Sequence, residues 1–431
     1  MDFQKTNANL LKYIKNATSP FHVVLESQRM LEEAGFISLD LTKKWSLEKT
    51  GKYYINAYGT TLFAFTVGEE LGESIRFRIA AAHTDHPCFK VKPSAEMVEN
   101  QYLKLNTDVY GGPIVNTWLD RPLSLAGKVA IRSKDLFRPD IRYIDLKQPL
   151  LTIPNLAIHM NRDVNKGVEL NRQSDTIPVI GLMNDSLNKD QFFVNYLAKH
   201  LGVEASDILD FDLYVYNLEE GCMLGMEEEI ISSPRLDNLT SCYALTEAIM
   251  KGTGKKDINF IALFDNEEIG SRTKQGADSS LLNFVMEKIC AGLSYSHMDY
   301  CDAVLNSMLC SVDVAHAIHP NRSEKSDPTN KVKLNEGFVI KLNSNQKYAT
   351  DSEAIAIVQQ ICDSEGIAYQ KYVNRSDIAG GGTLGSITSS WLPMKTVDMG
   401  IPMLAMHSAR EMMGSKDQAY LESFVTAFFS K

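Results

Sequence analysis

The spacing of apolar residues changes character several times along this chain. In TSPFHVVLESQRMLEEAGF, Val24, Leu31 and Ala34 form an apolar stripe, Ser19 stands in the N-cap position, Pro20 in the first turn and Gly35 past the end. This spacing predicts a helix. The runs KYYINAY, TTLFAFTV and SIRFRIAAAH follow, separated by Gly and Glu clusters, and predict strands bounded by turns. From Gly225 onward, DNLTSCYALTEAIM and DSEAIAIVQQICDSEG read as helices, whereas INFIALF, GFVIKL and KTVDMG read as strands. Such alternation predicts an α/β sheet with helices on its faces. Between Val91 and Ile231 the texture differs, with Pro, Asn and Gly turn signals among short runs such as GKVAIRS, LLTIP and TIPVIGL. We read residues 1–91 and 232–431 as one discontinuous domain, and 92–231 as a smaller β-rich domain inserted into it.

Composition narrows the function classes. At 431 residues the chain exceeds what one hydrophobic core sustains, and its 44% apolar and 23% charged residues are those of an ordinary globular protein. A formal net charge of -10 disfavours nucleic acid and anionic membrane as partners, since both are polyanions. The N-terminus MDFQKTNANLLKYIKN lacks the layout of a signal peptide, and the longest apolar run, in INFIALF, is strand-sized. The seven cysteines are scattered and form no CxxC pair, which fits a reducing, cytoplasmic setting.

Five acidic or histidine-bearing patches lie at predicted strand ends or in the loops after them, where open α/β sheets collect ligands. RIAAAHTDHP ends a strand at His83, with Asp85 placed to orient a metal-bound imidazole and His86 beside it; the alternative is a turn satisfying its own backbone. SSPRLDN sets Asp237 and Asn238 before a helix, where Asp237 is either an N-cap or a carboxylate bridging two cations about 3.5 to 4 Å apart. INFIALFDNEEIGS follows a buried strand with Asp265, Glu267 and Glu268, either a solvated face or a metal ligand beside a general base. CSVDVAHAIHP offers Asp313, with His316 and His319 at the spacing of one helical face. PMLAMHSARE offers His407, which would otherwise be a satisfied core histidine. Together they assign His83 and Asp313 to one cation, Glu268 and His407 to another, and Asp237 to both, leaving a coordination position for water.

With these strings in order, the chain resembles the aspartyl aminopeptidase family of metallopeptidases. HTDHP, TWLDRPLSLAG, IPNLAIHMNRDVN, SPRLDN, DNEEIGS, DVAHAIHP, KLNSNQKYAT and MHSARE carry the resemblance. It implies two zinc ions per subunit on His83, Asp237, Glu268, Asp313 and His407, with Glu267 as general base and Asp85 behind His83. It implies a zinc-exopeptidase (phosphorylase/hydrolase-like) α/β domain, its central mixed sheet flanked by helices, interrupted by a smaller β-rich dimerisation domain. It also implies a tetrahedral dodecamer built from dimers, with His159 reaching a neighbouring subunit's site, and a cis peptide between Asp237 and Asn238. Lys341 matches the family's specificity lysine, and His316 joins it as a substrate-binding candidate. HTDHP, YGGPIVN and DIAGGGTLG depart from the family's common HTDSP, YGGG and later glycine loop, departures that bear on substrate preference more than on catalysis.

The implied reaction is release of single N-terminal residues from peptides, Asp or Glu preferred, by a water bridging the zincs and deprotonated by Glu267, with the free amine at the other zinc. Oxygen and nitrogen ligands of this kind also accept cobalt or manganese. The rival readings are a related two-zinc amidohydrolase such as a deacylase or carboxypeptidase, an aminopeptidase of broader or neutral specificity, and a catalytically idle shell whose assembly serves as a scaffold or cargo. The last has no physical need for clustered, mutually repelling carboxylates.

Overall fold

The computed structural model describes residues 1–183 and 191–431. Contacts divide the chain into two compact units, one of Met1–Asp85, Gly221–Met406 and Glu411–Lys431, the other of His86–Glu220 with His407–Arg410. The second unit thus begins at His86, before the expected limit of 92, and its main stretch ends at Glu220, short of the expected 231. Pairing sets the early start: the strand Cys88–Glu99 begins at the unit's edge and bonds to Tyr102–Tyr110 on one side and Ile208–Asn217 on the other.

The first unit is built on a nine-stranded mixed sheet. In spatial order its strands are Ile37–Ser38, Lys52–Ala57, Thr61–Val67, Ile258–Phe264, Phe77–His83, Met308–Val312, Lys395–Gly400, Phe338–Leu342 and Tyr369–Val373. The four consecutive strands from Ile258–Phe264 to Lys395–Gly400 run parallel. Parallel strands covered on both faces need apolar residues at every position, and Ile258–Phe264 is buried throughout. Its alternate residues feed opposite cores. Ile261 and Leu263 join Ala80, Ala82, Leu239 and Phe424 on one face. Phe260, Ala262 and Phe264 join Ile79, Ala81, Val285 and Leu309 on the other.

Helices cover these faces where the sequence signals placed them. Pro20–Glu33 follows Ser19 and ends before Gly35, although the Ser19 hydroxyl bonds His22 Nδ1 at 2.8 Å instead of capping the helix. Ser352–Glu365 is capped by the Asp351 carboxylate on the Ala354 amide at 2.8 Å, and is closed by Gly366 at φ 64°. Phe3–Asn16 is a further helix, with Asn7, Leu10, Tyr13 and Ile14 buried. A five-stranded sheet, ordered Cys222–Leu224, Ile230–Ser233, Glu411–Gly414, Pro402–Leu404 and Ala315–His316, completes this unit. His316 therefore lies in a short extended strand rather than on a helical face shared with His319; Ala315 and His316 pair in parallel with Pro402 and Met403. Backbone bonds to a neighbouring strand override the three-residue spacing.

The second unit is a six-stranded antiparallel sheet: Asp140–Asp145, Leu123–Ile131, Ile208–Asn217, Cys88–Glu99, Tyr102–Tyr110 and Val179–Leu182. Phe89 packs edge-on against Trp118, and Phe193, on the helix Phe192–Leu201, against Phe211. The segment LLTIP contributes isolated bridges, Leu151 to Leu123, Thr152 to Val179 and Ile153 to Leu119. Among the described residues, no helix is long and apolar enough to cross a membrane.

Candidate metal centre

Strand register brings the site together. Phe264 lies opposite His83, so the chain leaving Ile258–Phe264 towards Glu267 departs beside the His83 side chain. On the other side Ser311 pairs with Ala81, which sets Asp313, two residues on, level with His83. The carboxyl ends of three adjacent parallel strands thus deliver an imidazole and two acidic segments to one place.

The fourth segment is Asp237. It lies within the span Leu236–Lys251, but its ψ of 109° is not helical, and Arg235 rather than Asp237 stands in the N-cap position. The Asp237–Asn238 peptide is cis, as the resemblance implied. The Asp237 amide donates to Glu411 Oε2 at 3.0 Å and the Asn238 side chain to the Val312 carbonyl at 2.9 Å. The N-cap reading is therefore replaced: Asp237 is turned out of the helix and held by its neighbours.

The resulting cluster is tight. His83 Nε2 lies 3.4 Å from Asp237 Oδ1, 3.5 Å from Asp313 Oδ1 and 4.0 Å from Glu267 Oε2. His83, Asp237 and Asp313 form one group of buried donors close enough to share a cation, and His83, Glu267 and Glu268 another. Burial pushes Glu267 up to about 8, reinforced by repulsion from Asp313, Asp85 and Asp237 and opposed by His83. Burial alone would pull the His83 imidazole down, yet its hydrogen bonds to Asp237, Asp313 and Asp85 hold it well above its usual range. Asp313 keeps a low pKa against its own burial, because the Lys341 ammonium lies beside it. One imidazole among several buried carboxylates is electrostatically incomplete without added positive charge, which divalent cations supply. The nitrogen and oxygen donors fit zinc.

Supporting contacts differ in detail from expectation. The Asp85 carbonyl, not its carboxylate, makes the shorter contact with His83 Nδ1, at 3.0 Å against 3.4 Å. The Asp85 carboxylate accepts the Glu267 and Glu268 amides at 3.1 Å each, so one residue orients the imidazole and fixes both acids. Asn266, at φ 65°, makes the turn that allows this. His86 and Asp265 are buried nearby in sequence.

The matching family model is that of the aminopeptidase I zinc metalloproteases (M18), over residues 13–429. The chain belongs to the M18 family. It is a zinc aminopeptidase, a hydrolase acting on peptide bonds, and the aspartyl aminopeptidase resemblance is consistent with this family. It is 46% identical over 422 residues to the "Probable M18 family aminopeptidase 2" of Clostridium acetobutylicum, covering 98% of each chain. Among solved structures it is similar to that of the Ape4 and Nbr1 complex, with a TM-score of 0.94 and 32% identity over 99% of this chain and 86% of the other. The S. cerevisiae mApe1 dodecamer is also similar, with a TM-score of 0.86 and 26% identity over 100% of this chain and 97% of the other. The mixed α/β architecture is that of M18 aminopeptidases.

The remaining candidates of this M18 chain lie as follows. His407 follows the strand Pro402–Leu404 at φ 67°; its Nδ1 is 3.0 Å from the Gly112 carbonyl, within the second unit. Lys341 is 2% exposed, not a surface strand lysine. Its Nζ donates to the Val314 carbonyl at 3.0 Å, lies 3.5 Å from Asp313 Oδ2, and sits 5.0 Å from the centre of the Tyr348 ring. His316 is exposed, its ring 6.0 Å from Tyr372. His159 is exposed in a turn of the second unit. Sequence reasoning gave no role to Glu411, which holds the Asp237 amide, or to Cys242, whose thiol donates to the His83 carbonyl at 2.9 Å. Glu411 ends the MHSARE string, the one signal that could have found it; Cys242 carried none.

Proposed function

We propose that this aminopeptidase releases single residues from the free N-terminus of peptides, preferring Asp or Glu there, at two zinc ions. His83 and Asp313 would hold one, Glu268 and His407 the other, and Asp237 both. The observation that carries the reading is His83 Nε2 within 3.5 Å of both Asp237 and Asp313, with Glu267 Oε2 at 4.0 Å. Zinc bound there supplies polarisation of a carbonyl oxygen and a lowered pKa for water.

The chain's own groups do the rest. Glu267 would accept the proton of the attacking water and return it to the leaving amine. Burial, reinforced by repulsion from Asp313, Asp85 and Asp237, pushes this carboxyl up to about 8, and cations bound beside it would offset that repulsion and move it towards the range where a base serves at neutral pH. Asp85 holds the Glu267 backbone, so the base is fixed before substrate arrives. An acidic first residue would take the Lys341 ammonium from the Val314 carbonyl, its present acceptor. His316 would line the same side.

Assembly belongs to this proposal. The second unit would be the dimerisation domain of a tetrahedral dodecamer; the similar mApe1 structure is a dodecamer. The loop carrying His159 exposes Leu156, Ile158 and Met160, apolar side chains suited to cover by a neighbour, from which His159 would enter that neighbour's site. Seven free thiols suit a reducing cytoplasm.

The test is hydrolysis of Asp, Glu, Leu and Lys p-nitroanilides, with N-acetylated amino acids alongside, before and after chelation and zinc restoration, with metal analysis of each sample. Cleavage of the Asp and Glu anilides first, lost with two zinc ions and regained with them, is the expected result. Equal rates on Leu would overturn the acidic preference, hydrolysis of the acetylated substrates alone the aminopeptidase reading, and a single metal per active chain the pair.

A further inference from the structure

Asp398 is a fully buried carboxylate with no part in the donor cluster. It lies mid-strand in Lys395–Gly400, opposite Ser311 on one side and Lys341 on the other. Its oxygens are spent on two separate loops. Oδ2 accepts the Ala349 amide at 2.6 Å, and Oδ1 accepts the Thr383 hydroxyl at 2.5 Å. Its own amide donates to Thr350 Oγ1 at 2.8 Å. The segment after Lys341 and the start of the helix Leu384–Trp391 are thus joined through one side chain. Gly385 leaves the room this needs, since a Cβ there would stand 2.5 Å from Asp398 Oδ1. Lys347 adds a second tie, its Nζ on the Gly380 carbonyl at 2.7 Å.

The clamped segment includes Tyr348, whose ring faces Lys341 Nζ, and Lys341 in turn faces Asp313. An ammonium that deep is placed by whatever holds the groups around it. We propose that Asp398 is a positioning residue: its carboxylate fixes the segment 343–350 against the start of the Leu384–Trp391 helix, and so sets the Tyr348 ring, the Lys341 ammonium and, through them, the first-residue preference. The preference itself rests on the reading given under Proposed function.

The experiment uses the full-length, zinc-loaded protein. Asp398→Asn can keep one oxygen on the Ala349 amide, but it turns a donor towards the Thr383 hydroxyl, reversing that bond, and removes the charge that strengthens both. Amide exchange across 343–350 should quicken on the order of tenfold, and the ratio of kcat/KM on Glu over Leu p-nitroanilide should fall by a similar factor, with zinc content retained. Adding Asp398→Asn to Lys341→Met should leave the ratio where Lys341→Met alone sets it, since both act through one ammonium. Unchanged exchange, an unchanged ratio, or independent effects of the two substitutions would each overturn the assignment. Thr383→Val, which removes only the hydroxyl bond, carries the same readouts with smaller changes should Asp398→Asn not fold. If the wild-type protein does not favour Glu over Leu, the specificity reading has failed; exchange in 343–350 then decides the clamp alone, and no change there rejects it.

Discussion

Replacing Glu267 by Gln keeps the side chain's volume beside His83 but removes the proton acceptor. Turnover is expected to fall by a factor of about 100 to 10,000 with zinc content unchanged, measured by steady-state kinetics and metal analysis of one preparation. Loss of metal in parallel with activity would make Glu267 a ligand instead. Lys341 is a different case, because its ammonium serves Asp313 as well as any acidic substrate. Lys341→Glu sets a second carboxylate against Asp313, so all substrates should suffer, but kcat/KM on Glu and Asp anilides should drop about tenfold further than on Leu or Ala. Equal losses on all four would remove Lys341 from substrate recognition.

At the level of elements, the helix Asp417–Phe428 shows how burial turns a side chain into a pH-dependent term. Glu422 is largely buried, and desolvation pushes it up to about 7 although Lys251 and Gln418 pull it down. The folded state therefore holds this proton more tightly than the unfolded chain does. The stability it contributes is complete below about pH 4.5 and is lost as pH rises through about 7. Glu422→Gln lacks this dependence. Relative to wild type, the variant should gain up to roughly 3 kcal/mol between pH 4 and pH 8 in urea unfolding. A difference that stays flat across that window would place the wild-type carboxyl near its ordinary pKa.

For the whole molecule, the His159 proposal makes activity a property of the assembly. His159→Ala and Glu267→Gln should each be nearly inactive alone. Dissociated, mixed and reassembled, they should recover activity, because a subunit with an intact Glu267 then receives His159 from its neighbour. No recovery in mixed oligomers confirmed by native mass would place His159 outside the neighbour's site.

The chemistry of the candidate site was legible in the chain order of HTDHP, SPRLDN, DNEEIGS, DVAHAIHP and MHSARE, and the main strands in their apolar runs. Local interactions write those signals: turn residues, N-caps and side-chain alternation act over a few residues and are visible without a partner. The Phe3–Asn16 helix was less legible, with only four of its fourteen residues buried, and the three-residue spacing of His316 and His319 misled because strand pairing decided that segment. Register was hidden altogether. That Ile258–Phe264 inserts between Thr61–Val67 and Phe77–His83, bringing Glu267 to His83, is fixed by hydrogen bonds between residues about 180 positions apart. The same holds for the Asp85 carboxylate on the Glu267 and Glu268 amides, for Glu411 on Asp237, and for Lys341 as a buried cation. Sequence determined which chemical groups this protein owns; tertiary structure alone decided which of them meet, because desolvation and charge coupling depend on distance in space.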